Sequence, residues 1–172
     1  SVECQFQYIA IKELFMPLVQ DVSCGAFYSA KLENMYLPSL SKAGHSSSFG
    51  NSTFSYNNFV SINLSSLLSL GSRQSFSHCH NLRFFVALKV QNLNSWCFSD
   101  CSQLETILTP KAAISDYCFK NCAKIKLILA LNGSFGCNCG KCPRCNETLQ
   151  QCFENGQKFA QSEEYEMLLK QE

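Results

Sequence analysis

The feature that most constrains this chain is a repeat with a period near 22 residues. Three segments show it plainly: SFSHCHNL at 75–82, CFSDCSQL at 97–104 and CFKNCAKI at 118–125. Each is an aromatic, two residues, a cysteine, two residues and an aliphatic. The anchors Phe76, Phe98 and Phe119 lie 22 and 21 residues apart. One such unit cannot bury its apolar edge alone, so neighbouring units are expected to stack and share a continuous core.

Weaker copies precede these three. AFYSAKL at 26–32 anchors at Phe27 and TFSYNNF at 53–59 anchors at Phe54. Each is one residue shorter in the turn, with Ala30 or Asn57 where the later copies have Cys79, Cys101 and Cys122. A partial copy at Phe6 precedes Ile11 by the same short step. The full spacing is then 21, 27, 22, 22 and 21, and the 27 contains a Ser-, Gly- and Asn-rich insertion near 46–52, as a solvent loop should be.

After each anchor comes an L-x-x-L-x-L-like run: Ile11/Leu14/Met16, Leu32/Met35/Leu37, Phe59/Ile62/Leu64, Leu82/Phe85/Ala87, Leu104/Ile107/Thr109 and Ile125/Ile128/Ala130. Alternation at the end of each run predicts a short strand with one buried face. A second apolar pair, such as Val19/Val22 or Val90/Leu93, follows before the next Phe closes the coil.

The turn pattern A/C-F-x-x-C-x-x-L resembles the BspA-like leucine-rich-repeat family over about residues 6–131. The resemblance implies a right-handed solenoid with a parallel sheet, an α/β-type repeat stack. It also implies a role in adhesion or protein binding, often in secreted or surface-exposed proteins. The repeats are expected over 1–131, a Cys-rich segment over 132–152 and a helical acidic tail or cap over 153–172.

In such strands the intervening residues face outward and form the usual binding surface of these repeats. The outward positions are Glu13 and Phe15, Asn34 and Tyr36, Ser61 and Asn63, Phe84 and Val86, Thr106 and Leu108, and Leu127 and Leu129. Phe15, Tyr36, Phe84, Val86, Leu108, Leu127 and Leu129 are therefore the candidate protein-binding residues. An exposed apolar stripe of this kind marks a contact site. Cover by the chain's own tail or by a neighbouring domain is the alternative.

The repeat cysteines read as small side chains packed in a tight turn and donating weakly. His78 and His80 flank Cys79, but as turn residues beside a buried thiol they do not make a nucleophilic pair. After Leu131 the composition changes. Cys137, Cys139, Cys142 and Cys145 follow in C-x-C-x2-C-x2-C spacing, with Cys152 beyond. A C-x2-C step offers two thiolates to one tetrahedral zinc, and Lys141 and Arg144 would favour the thiolate form. Zinc, local disulfides, an iron–sulfur cluster and unpaired thiols all remain open at this point. A redox C-x2-C is weak without a thioredoxin-like context.

The last 27 residues, 146–172, hold 2 basic and 6 acidic residues, a balance of −4, against 12 and 7, or +5, in residues 1–145. They read as one or two helical segments. Gly156 is a candidate break, Asn146 a start, and Ser162 followed by Glu163 and Glu164 a second start. Tyr165, Leu168 and Leu169 form an apolar face suited to covering the open end of the solenoid.

A net charge of +1 gives no field to recruit nucleic acid. No apolar run is long enough for a membrane span. There is no G-x-G-x-x-G, P-loop, H-E-x-x-H or G-x-S-x-G. The sequence thus points away from an enzyme and towards a scaffold with a protein partner on the strand face. Sequons at Asn51, Asn63, Asn132 and Asn146 favour the cell surface or exterior over the cytoplasm. An intracellular scaffold with a zinc knuckle and a redox or metal-handling module are the alternatives.

Overall fold

The computed structural model describes residues 6–45 and 52–170. Cys4, the bulk of the insertion near 46–52 and the Asn51 sequon lie outside them.

The chain forms a solenoid with two short strands in each complete turn. One line of strands comprises β1 (Glu13–Phe15), β3 (Asn34–Tyr36), β5 (Ser61–Asn63), β7 (Phe84–Val86), β9 (Thr106–Thr109) and β11 (Leu127–Ala130). The other comprises β2 (Asp21–Ser23), β4 (Lys42–His45), β6 (Ser69–Leu70), β8 (Asn92–Leu93) and β10 (Ala113–Ile114). Every pairing is parallel. The first line divides into a β1–β3 pair and a four-stranded β5–β7–β9–β11 sheet. The division falls where the 27-residue spacing interrupts the period.

The register matches the sequence pattern. Ile62 pairs with Phe85, Phe85 with Ile107, and Ile107 with Ile128, and all four are buried. The second apolar pair of each coil supplies the second line, where Val22, Ala43, Leu70, Leu93 and Ile114 point inward. Among the described residues the helices belong to the tail alone: α1 (Leu149–Phe159) and α2 (Glu163–Lys170).

The anchor phenylalanines form a ladder through the core. Phe6, Phe27, Phe54, Phe76, Phe98 and Phe119 stack ring on ring, with centroids 5.1–5.9 Å apart and interplanar angles of 4–17°. Offset stacking at this spacing adds to the burial of each ring. The ladder ends at Phe135, which meets Phe119 edge-on at 79° and 5.6 Å.

Four successive turns, from Asn57 to Cys122, are closed by a polar rung, while Ala30 takes that place in the turn before them. The thiols of Cys79, Cys101 and Cys122 donate to the carbonyl oxygens of Phe54, Phe76 and Phe98 at 3.3, 3.1 and 2.9 Å. Asn57 replaces the thiol with an amide. Its Nδ2 donates to the Phe27 carbonyl at 2.9 Å, while its Oδ1 accepts the Leu32 N–H at 2.9 Å. The Phe98 and Phe27 carbonyls also accept the Cys101 and Ala30 N–H groups at 3.1 and 3.4 Å, and the Phe54 carbonyl also accepts Asn57 Nδ2 at 2.8 Å, so the rungs add to a hydrogen-bond network inside the turns. The residue two after each anchor (Tyr8, Ser29, Tyr56, His78, Asp100 and Asn121) takes a positive φ of 54–62°. A left-handed residue there turns the chain sharply enough to bring the next side chain back inside.

Candidate functional site

Two places on this frame gather chemistry: the outward face of the first strand line and the thiols after the last repeat. On the face, register sets Phe15 beside Tyr36, and further along Asn63 beside Val86, Val86 beside Leu108 and Leu108 beside Leu129. Phe15 and Tyr36 are 72% and 55% exposed and stack on each other at 5.2 Å and 9°. Phe84 is 40% exposed beneath the Arg83 guanidinium, 5.5 Å above its ring. A shallow concavity lined by Tyr36, Pro38, Ser61, Asn63 and Ser65 continues from the aromatic pair.

The other end of the face is closed. Val86, Leu108 and Leu129 keep only 9%, 3% and 5% of their exposure, and Leu127 is half-buried. They form a small second core with Leu88, Phe159, Ala160, Tyr165 and Leu168. Of the two readings open to the outward stripe, cover by the chain's own tail therefore describes Val86, Leu108 and Leu129 in this structure. The end of the face that stays exposed to solvent carries Phe15, Tyr36 and Phe84.

The tail reaches this position because α1 first docks on the last strand. Gly156, expected as a break, lies inside α1 and is buried. A Cβ there would stand 2.0 Å from the Ile128 carbonyl oxygen and 3.0 Å from the Leu129 nitrogen. Only glycine lets the helix approach the strand backbone so closely. Asn155 Nδ2 donates to the Lys126 carbonyl at 2.8 Å and the Cys152 thiol to that of Ile125 at 3.3 Å, so α1 covers the edge of β11. The second helix starts as expected: Ser162 Oγ accepts the Tyr165 N–H at 3.2 Å, and Glu163, Glu164 and Glu166 occupy its first turn. The first helix begins at Leu149, within the segment expected to be Cys-rich, after Asn146 Oδ1 accepts the Thr148 hydroxyl at 2.7 Å.

Cys137, Cys139, Cys142 and Cys145 meet at one point between the last repeat and α1. All four sulfurs lie within 4.8 Å of one another, and the four form no disulfide. Cys142 and Cys145 are 3.5 Å apart, and Cys139 and Cys145 are 3.9 Å apart. The Asn121 N–H donates to Cys139 Sγ at 3.3 Å and the Cys142 N–H at 3.4 Å. Partial burial opposes ionisation of Cys139, but the backbone N–H groups of Asn121, Lys141 and Cys142 and the thiol of Cys137 outweigh it. Its pKa falls to about 6. Backbone donors dominate this effect, rather than the side-chain charges of Lys141 and Arg144. Burial pushes the Cys142 thiol up, and its neighbours' thiols add to the rise. Four such sulfurs are a ligand set for one soft or borderline metal ion.

The histidines stay apart from this centre. His78 stacks on Tyr56 at 4.4 Å and His80 Nδ1 bonds with the Asp100 carbonyl at 2.8 Å. Cys79 between them turns inward, and burial pushes its thiol up to about 12. A protonated, fully enclosed thiol is no nucleophile.

With the geometry in view, comparison with known families decides the kinship. The model of the BspA type leucine rich repeat region matches residues 3–126, in 6 copies. The chain belongs to the BspA-type leucine-rich-repeat family. No curated protein and no solved structure matches it significantly. The BspA-type repeats cover the whole Phe ladder from Phe6 to Phe119, but they stop before Phe135, the four-thiol centre and both helices. The parts that close the solenoid are thus additions to the repeat. A BspA-type stack is a scaffold kind of fold suited to protein binding. Among the described residues no helix is long and apolar enough to cross a membrane.

Sequence reasoning found every residue of the four-thiol centre from spacing alone. It missed Phe135, Asn155 and Gly156 as parts of the closure. No sequence signal separates a helix break from a close approach at Gly156.

Proposed function

We propose that this chain is a protein-binding scaffold acting at the cell surface or outside the cell, in adhesion or as a surface antigen. In this reading the partner lies on the strand face, over Phe15, Tyr36 and Phe84. The observation that carries it is the stacked, solvent-facing Phe15–Tyr36 pair on the one stretch of that face which the tail leaves open. Aromatic side chains on a rigid frame present large contact area with little ordering cost, which is why they dominate protein interfaces. Asn63 and Ser61 beside them supply polar groups at the rim. The sequons at Asn132 and Asn146, away from this face, are exposed, as glycan acceptors must be.

A photo-crosslinking residue placed at Phe15 or Tyr36 tests the reading when the chain is offered to surface extracts of its source. The expected result is a discrete crosslinked polypeptide at both positions and none at Lys111, an exposed residue away from the face. Equal labelling at Lys111, or none at the aromatic pair, would overturn it. The second reading, an intracellular scaffold, is favoured by one observation: the four clustered thiols stand at non-bonded distances. Intact mass of the native protein separates the two, since glycan mass requires the exterior and a bare, reduced chain the interior.

A further inference from the structure

We propose that Cys137, Cys139, Cys142 and Cys145 bind one zinc ion in a closed, four-sulfur structural site that fastens the tail to the last repeat. A tetrahedral ion with Zn–S bonds of about 2.3 Å sets its sulfurs roughly 3.8 Å apart. The separations of 3.5 and 3.9 Å lie on either side of that spacing, and no pair exceeds 4.8 Å. A disulfide pairs sulfurs two at a time at about 2.05 Å and gives no reason for four to converge. An iron–sulfur cluster would stand between its ligands and hold them farther apart than a single ion does.

The ligand set is all thiolate, with no carboxylate or imidazole in the group. Such a set selects zinc over magnesium or calcium. It also fills every tetrahedral position with protein, leaving none for water or substrate, so the site is structural. The surroundings are built to hold it. The Asn121 amide that bonds Cys139 belongs to the last repeat turn, and its side chain is fixed by Asp100 Oδ1 at 2.8 Å. Backbone donors of this kind orient metal-bound sulfurs and spread their charge. On the other side, Asn146 N donates to Cys142 O at 3.1 Å and Thr148 N to Pro143 O at 2.9 Å, leading directly into α1. The ion would therefore sit at the joint between solenoid and tail. Binding changes no oxidation state: each thiol still protonated releases its proton to solvent and donates a sulfur lone pair to the metal.

The test uses the full chain, reduced, stripped of metal under anaerobic conditions and titrated with zinc or cobalt alone. One equivalent of zinc should bind saturably and raise the thermal midpoint. Cobalt should give the charge-transfer and ligand-field absorption of a tetrahedral thiolate site, and zinc should abolish it. Cys142→Ser and Cys145→Ser should lose the cobalt spectrum, while Cys152→Ser, outside the cluster, should retain it. The spectrum of the unaltered chain decides the matter even where a variant does not fold. An octahedral cobalt spectrum, no saturable zinc uptake, iron in place of zinc, or these four cysteines joined as disulfides in the native protein would each overturn the proposal.

Discussion

The two ends of the strand face are built on the same register and finished in opposite ways. Near β1 and β3 the outward residues are Glu13, Asn34, Phe15 and Tyr36, and the aromatic pair stands in solvent. Near β9 and β11 the corresponding residues are Thr106, Leu127, Leu108 and Leu129, and Phe159, Tyr165 and Leu168 are laid over them. The repeat fixes where side chains point, and what the chain adds after the repeat decides which of them meet water. A continuous outward stripe is therefore not one surface. Its closed part is packed under the tail, and its open part stays in solvent.

Changes at the joint, under the cover and in the open should separate these roles. The largest effect is expected for Gly156→Ala. The new methyl meets strand backbone at 2.0 Å, with no flexible side chain to yield. The helix must back away from β11, costing about 3 kcal/mol, the upper end of ordinary overpacking. Denaturant unfolding should show the loss, and hydrogen exchange should show it spreading to the amides of β9 and β11. Should Gly156→Ala leave both unchanged, α1 does not hold the tail on the face.

Leu108→Ser should cost less, about 2 kcal/mol, the low end for a large-to-small change in a core. Its lid is a helix whose own residues are nowhere fully buried, so the tail can shift rather than leave a void. A loss no larger than that of a surface substitution would mean that Leu108 is uncovered in solution. The smallest effect on folding belongs to Phe15→Ser and Tyr36→Ser, within about 0.5 kcal/mol each. Both should nevertheless abolish the crosslinked partner. Marked destabilisation by either would make the aromatic pair structural and end its claim as a contact site.

The contrast was legible in the sequence only in part. The Phe and Cys period placed the anchors, the inward runs and the outward positions, because each coil repeats one local packing problem. Tyr165 and Leu168 were visible as an apolar helix face, but their target was not, since no periodicity connects a tail to the strand it covers. Gly156 carries two possible meanings, helix break or close approach, and only the Ile128 backbone beside it decides between them. The four thiols were evident as a spacing pattern. They converge beside Asn121, a repeat residue 16 positions upstream of Cys137 whose N–H bonds Cys139 and that no motif couples to them. Asn57 could be read as a missing cysteine, yet it replaces a thiol donor with an amide that also accepts the Leu32 N–H.

Phe135 has a consequence that reaches past the single molecule. A column of parallel rings is a lattice in one dimension, and each flat face is a template for another of its kind. Parallel strands with an unpaired edge invite the same continuation. At the C-terminal end of this stack both templates are withdrawn together. The last ring is turned across the column and buried, and α1 lies where a further strand would pair. Head-to-tail joining of one molecule onto the C-terminal end of another would generate an open filament, and the turned ring and the helix act as its terminator.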